Sequence, residues 1–276
     1  MESKRWEEME KDCLVKVFMR LGLDDLTLTV PFVCKSWLAV AVDPLCWQKL
    51  DFRQIDVLPW SSFSKQFSIF YSLPYFSFSH LLRLCLKRSC SSVTELRFPL
   101  KHTSLEELVL ASIECPKLKV LALPILSPSE EVHLPKLINK WKHLQKLEME
   151  SKPNSFTEMV KTIGMHCGEF CGLTVSGTIG SEDALAIVDH LPNIHCLDFS
   201  RSFLVKEGLL TILNGCKGLE RLNVDDCVGF DGEDREVLAM ASAIKDFSNK
   251  RCRLNYEHVD EECDLGSGYY FCGFVF

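Results

Sequence analysis

No window of the sequence holds 18 uninterrupted apolar residues, the length a bilayer-crossing helix requires. The best candidate, VPFVCKSWLAVAV at residues 30–42, is too short and is interrupted by Lys35. A membrane partner is therefore not expected. The opening residues, MESKRWEEMEKD, lack the apolar core of a secretory signal. A soluble protein of the cytoplasm, the nucleus or both is expected, with its thiols mostly reduced. Positive charge is in deficit. Lys and Arg number 31 against 38 Asp and Glu, a net charge of −7, which argues against a nucleic-acid partner held through its phosphates. Also missing are G-x-S-x-G, a P-loop, H-E-x-x-H, a C-x-x-C pair and a dinucleotide fingerprint. No catalytic residue, metal site or cofactor is expected on that ground. What is present, 47% hydrophobic and 25% charged residues over 276 positions, suits a globular chain with a sizeable core.

Cysteine is plentiful, at 14 residues, and one cysteine-bracketed stretch sets the reading. CKGLERLNVDDC (216–227) places Leu219, Leu222, Val224 and Cys227 in the pattern L-x-x-L-x-L-x-x-C, a leucine-rich-repeat strand. The same triple recurs as Val93/Leu96/Phe98, Leu118/Leu121/Leu123, Leu144/Leu147/Met149, Phe170/Leu173/Val175, Ile194/Leu197/Phe199 and, degenerately, Ile244/Phe247/Asn249. The starts at 93, 118, 144, 170, 194, 219 and 244 are 24 to 26 residues apart. Three residues before each stand Cys90, Cys115, Trp141, Cys167, Leu191, Cys216 and Ala241. A column that accepts Trp, Leu and Ala is neither a disulfide framework nor a ligand set. Its cysteines read as small buried hydrophobes. Cys227, after its strand, reads as the one copy with cysteine at that turn.

Between the triples the apolar period changes from 2 to 3.6. Phe156, Met159, Val160, Ile163 and Cys167 form one helical stripe, and Ala184/Ile187/Val188/Leu191, Leu209/Ile212/Leu213/Cys216 and Val237/Met240/Ala241/Ile244 form others. SFTE at Ser155–Glu158 has the form of a capping box. The fold class expected is α/β, a right-handed solenoid of about seven helix–strand units over residues 81–250, with a concave parallel sheet.

Residues 1–50 do not follow the repeat. Leu14, Val17, Phe18 and Leu21 make one helical stripe, closed by Gly22. Asp24 or Asp25 opens a short second helix. Pro31 suits the first turn of a third, which carries Val33, Cys34, Trp37 and Ala41 and stops before Pro44. A three-helix bundle of this size is marginal alone, so it leans on the repeats or meets a partner.

The arrangement of Trp6, Met9, Asp12, Leu14, Val17, Phe18 and Leu21, then Val33-Cys34-Lys35-x-Trp37, then Asp43-Pro44-x-x-Trp47, resembles an F-box. With the repeats it resembles an F-box/leucine-rich-repeat protein, and RSCSSVTELRFP and ECPKLKVLALP look most like the plant branch. One position departs: Met9-Glu10 stands where F-boxes usually carry Leu-Pro. The resemblance implies a non-catalytic substrate receptor of a ubiquitin ligase. Its F-box would bind a Skp-type adaptor, and through it a cullin, while the repeats hold a protein substrate. Carried over, Leu14, Val17, Phe18, Leu21, Val33, Cys34 and Trp37 are adaptor-contact or bundle-core residues. The alternative is a repeat scaffold that uses the bundle only as a cap.

On the strands, residues flanking the inward leucine face the concave side. They give a small apolar strip, Val120, Ala122 and Pro124, then polar groups. Arg97, Glu148, Glu150, Asp198, Arg221, Asn223 and Asp225 are the substrate-contact candidates. A partner with an apolar anchor and basic neighbours would match. Residues 51–80, rich in Ser and aromatics, read as an irregular linker or cap. One lysine within 58–80 makes a stacking surface for single-stranded nucleic acid improbable. Residues 251–276 read as a tail or cap, in which Cys252, His258, Cys263 and Cys272 match no standard zinc spacing.

Overall fold

The computed structural model describes residues 9–254. Helix α1, Lys11–Phe18, buries Leu14, Val15 and Phe18. The next turns differ from the expected pair of helices. Asp25–Thr29 is a π-turn and Val30–Phe32 a 3-10 turn; helix α2 then spans Lys35–Ala41. Two local causes explain the break. The β-branched run of Thr27, Thr29, Val30 and Val33 disfavours regular helix, and Pro31 has no N–H to give Thr27. The carbonyl of Thr27 takes the Tyr71 hydroxyl instead, at 2.9 Å. Cys34 is fully extended, φ −160° and ψ 170°, so the anticipated third helix is divided there. A 3-10 turn, Pro44–Trp47, follows, and the Asp43 carboxylate accepts the Leu45 N–H at 3.2 Å. Trp47 is wholly buried and donates to the Ala41 carbonyl at 2.7 Å.

The sheet among the described residues has eight parallel strands. In chain order the strands are β1 (Lys49–Asp51), β2 (Glu95–Arg97), β3 (Val120–Ala122), β4 (Lys146–Met149), β5 (Gly172–Val175), β6 (Thr178–Ile179), β7 (Cys196–Asp198), β8 (Phe203–Leu204), β9 (Arg221–Asn223) and β10 (Asp246–Ser248). β6 and β8 pair separately at the rim. Leu50, Leu96, Leu121, Leu147, Leu173, Leu197, Leu222 and Phe247 occupy a single rung from end to end. The first seven are at most 2% exposed.

Two sequence expectations need correction. The repeat begins one strand earlier than the seven triples indicate. Trp47, Leu50 and Phe52 form another such triple, all buried, and β1 opens the sheet inside the segment assigned to the bundle and linker. Residues 51–80 are not irregular throughout either: helix α3 spans Ser62–Phe70, with Ser61 as its N-cap. Helix α4, Phe78–Ser89, follows.

Helices back most strands: α5 (Leu105–Glu114), short α6 (Pro128–Glu131) and α7 (Leu134–Ile138), α8 (Phe156–His166), α9 (Ser181–His190), α10 (Lys206–Gly215) and α11 (Arg235–Ala241). Strands sit about 4.8 Å apart and helices 8–10 Å apart, so the strand side is the inside of the curve. The SFTE segment is not a capping box. Ser155 makes no cap bond and its hydroxyl donates to the Glu131 carbonyl at 2.8 Å. Boxes occur instead where Glu107 accepts the Ser104 N–H (2.8 Å) and Glu130 accepts the Ser127 N–H (3.1 Å).

The cysteine column is buried at Cys115, Trp141, Cys167, Leu191, Cys216 and Ala241. Cys90 is the exception. It caps α4 in the left-handed region at φ 48° and is exposed, while Ser89 takes the interior place.

Bundle and solenoid share one continuous core. Arg88 of α4 ties them together. Its guanidinium donates to the Leu26 carbonyl (3.4 Å) and the Tyr71 hydroxyl (3.1 Å), and lies 4.9 Å over the Trp47 ring.

Candidate functional site

Two surfaces gather the residues singled out in the sequence. On the bundle, the seven adaptor candidates divide by burial. Leu14 and Phe18 are 1% exposed, so they hold the bundle together from inside and offer a partner no surface. Leu21, Cys34 and Trp37 are half-buried, with the Trp37 ring edge-on to Phe18 at 5.3 Å. Val17 and Val33 are exposed, at 39% and 52%. Exposed apolar residues that the pattern did not single out include Met19, Phe32, Leu38, Val42 and Leu45. They fall off the buried helical stripe, and that displacement was the available signal. Phe32 rests against Phe70 of α3 at 4.5 Å, so apolar surface continues from the bundle onto the next helix.

The second surface is the inner face of the sheet. Its N-terminal half is closed by its own ion pairs. Lys49 meets Glu95 at 2.7 Å, and Arg97 meets Glu95 at 3.2 Å. Arg97 also grips Glu148 through two nitrogens, at 3.2 and 2.9 Å. Burial works to raise the Glu95 carboxyl, but hydrogen bonds from Lys49 and Arg97 outweigh it and hold the group below its ordinary value. Arg53 reaches Glu150 at 3.4 Å and the carbonyls of Phe98 and Leu123, both at 3.3 Å. Arg201 meets Glu150 from the other side at 3.3 Å.

This ladder overturns the expected apolar strip. Ala122 and Pro124 are buried, since the Arg97–Glu148 pair spans the strand between them and Arg53 covers the rim. Glu148 and Glu150, offered as free acids by the sequence, are neutralised within the chain.

The C-terminal half is different. A cavity of about 340 Å³ opens there, lined among others by Lys146, Thr174, Cys196, Asp198, Asn223 and Asp225. Its floor is β5, which presents only Gly172 and Thr174. The Lys146 stem lies over Gly172, where a Cβ would stand 3.0 Å from its Cγ. Arg221 pairs with Asp246 at 2.7 Å. Asp198 receives neutral donors, the Ser200 N–H at 2.9 Å and the Asn223 amide at 3.0 Å. So does Asp225, from the Ser248 hydroxyl at 2.7 Å and the Lys250 N–H at 2.6 Å. Five of the seven substrate candidates therefore border or line this half or its rim, while Arg97 and Glu150 belong to the closed half.

Four thiols of the repeat are buried. Burial pushes the Cys115 and Cys227 thiols up to about 12, and those of Cys167 and Cys216 to about 11, so they remain protonated at neutral pH. Cys227 donates to the Phe199 carbonyl at 3.1 Å, and Cys252 to the Val224 carbonyl at 3.0 Å. Cys252 thus repeats the Cys227 position one unit later, contrary to the reading of Cys227 as a single case. Ser202 occupies the equivalent place one unit earlier and donates to Val175 at 3.4 Å. This ladder engages Cys252; His258, Cys263 and Cys272 lie outside the described residues. Among the described residues no group of three or more His, Cys, Asp or Glu is placed to hold a metal ion, and no helix is long and apolar enough to cross a membrane.

No protein-family model matches the sequence. Individual relatives do. F-box/LRR-repeat protein At3g48880 of Arabidopsis thaliana is 28% identical over 91% of this chain and 82% of its own length. The Arabidopsis F-box protein FBW2 is 28% identical over 82% of this chain and 69% of its own. The Arabidopsis F-box protein SKIP1 is 26% identical over 88% and 85%. Among solved structures, a chain of the TLR13–ssRNA13 complex superposes with a TM-score of 0.42 at 12% identity, over 60% of this chain and 24% of that one. The solenoid assignment stands on the strand register.

Proposed function

The chain is a homologue of Arabidopsis F-box and F-box/LRR-repeat proteins over most of its length, and from this we propose that it is a substrate receptor of a Skp–cullin–F-box ubiquitin ligase. The similarity supports an F-box-type, non-catalytic reading; the receptor role is the finer one. The observation that carries it is the set of exposed apolar residues, Val17, Phe32, Val33, Leu38 and Val42, on a bundle whose own core is complete without them. Surface of that kind on a small bundle marks a protein interface.

In this reading the bundle binds the Skp-type adaptor and, through it, the cullin. The solenoid holds a protein substrate on the inner face of its sheet. The chain does no bond chemistry. It raises the local concentration of substrate lysines near a ubiquitin thioester carried elsewhere in the complex. The Arg88 clamp suits this, because a fixed junction converts adaptor binding into a defined substrate position. The cytoplasm or nucleus is where such a complex would act.

A second reading, a repeat scaffold with the bundle as its cap, is favoured by one observation: Met9-Glu10 in place of Leu-Pro, with Met9 packed on the bundle core. Co-purification of the full chain with a Skp-type adaptor separates the two. Val17→Asp with Val33→Asp should abolish capture while leaving the circular-dichroism melt intact. If the unmodified chain captures no adaptor, the scaffold reading takes its place.

A further inference from the structure

The cavity on the inner face has lining charges of two kinds: Glu148 and Arg221 are paired with Arg97 and Asp246, whereas three others are not paired. Among the described residues Asp198 and Asp225 have no basic side chain within ion-pair distance, in contrast to Glu95, Glu148 and Glu150. Lys146, on the opposite wall, likewise has no carboxylate within that distance. The acids are also held in place. Asn223 donates its amide to Asp198 and accepts the Asp225 N–H at 3.0 Å, so one side chain bridges the two and fixes both. On β5 the Lys146 stem lies across Gly172, and the short Thr174 side chain next along the strand borders the cavity.

Building on the reading of the solenoid as the substrate-holding part, we infer that this cavity takes an extended protein segment bearing one arginine or lysine, seated between Asp198 and Asp225, next to an acidic residue that meets Lys146. The complementarity is two-signed. A purely basic segment would oppose Lys146, and a purely acidic one would oppose Asp198 and Asp225. Positions i and i+2 of an extended segment point the same way; β4 and β7 stand two strand spacings, about 10 Å, apart, so the long side chains of Lys146 and of the segment's own basic residue must span the difference. The N-terminal half of the face is excluded because its acids are already matched by Lys49, Arg97, Arg53 and Arg201.

The test is a selection of displayed random twelve-residue peptides on the immobilised full chain, followed by titration of the enriched peptides. The expected consensus holds a basic residue and an acidic residue two positions apart. Asp198→Asn with Asp225→Asn, which preserves side-chain shape, should weaken those peptides by roughly tenfold or more. Lys146→Glu, at an exposed position, should remove the acidic preference and keep the basic one. Alkylation of Cys196, read by mass spectrometry, should slow when peptide is bound. A consensus without a basic residue, binding indifferent to the paired Asp substitutions, or no enrichment at all would overturn the inference. Adaptor capture is scored separately on the bundle variants, so failure here is distinguishable from failure of the receptor reading.

Discussion

Replacing Arg88 by Met tests whether bundle and solenoid are one rigid body. Methionine keeps most of the apolar stem and removes the guanidinium. Two hydrogen bonds from a charged donor are lost, at 3.4 and 3.1 Å; bonds of this kind contribute about 1.5–3 kcal/mol each, and these lengths belong at the low end. The stacking over Trp47 at 4.9 Å adds about 0.5–2 kcal/mol. Non-additivity within the cluster brings the sum to about 3 kcal/mol. For a chain of this size that is a fall of about 6–12 °C in melting temperature. Urea titration followed by tryptophan fluorescence and circular dichroism would measure it. Tyr71→Phe should cost about 1–2 kcal/mol by leaving the Thr27 carbonyl unpaired, and the double variant should lose less than the two single losses added together. A loss below about 0.5 kcal/mol for Arg88→Met, or strict additivity with Tyr71→Phe, would refute the clamp.

Further expectations follow from the core and its titrating groups. Leu147→Ala, at the centre of the leucine rung, should cost about 2–5 kcal/mol through the cavity it leaves, read as a lower urea midpoint. The Glu107 carboxyl is pushed up by burial but held down more strongly by donors from Ser104 and Ser79, so it lies below its ordinary 4.5. Glu95 behaves alike. Both groups bind fewer protons folded than unfolded near pH 4, so their contribution is complete above the unfolded value and is lost as pH falls through the lower folded one. Glu107→Gln should flatten that acid limb of a stability–pH curve. Alkylation of the native chain should label Cys13 and Cys90 quickly and leave Cys115 and Cys227 unmodified until denaturant is added; rapid native labelling of Cys115 would contradict its burial.

The repeat was legible because each inward leucine must meet the next across a fixed strand spacing, and this forces a period the chain cannot hide. It failed at Trp47, Leu50 and Phe52 for a local reason. Residues 58–80 are inserted before the next triple, so a strand that is in register in space is out of phase along the chain. Cys90 failed because α4 ends through two left-handed residues, Cys90 and Ser91, at φ 48° and 59°. The orientation of the inner-face residues was readable from alternation alone; their partners were not. Arg97 reaches Glu148 across a whole strand because Ala122 is too short to obstruct it, and Arg53 reaches Glu150 from the 3-10 turn after β1, a strand whose membership in the sheet the period concealed. On the bundle, the F-box pattern did not separate Leu14 and Phe18, which are buried in it, from Val17 and Val33, which face outward.

Hydrogen–deuterium exchange of the full chain, with and without a Skp-type adaptor, tests the central claim most directly. The account predicts slowed exchange in residues 11–42, around Val17 and Val33, with strands β5 to β9 unchanged. Protection confined to the solenoid, or none on the bundle at saturating adaptor, would contradict it.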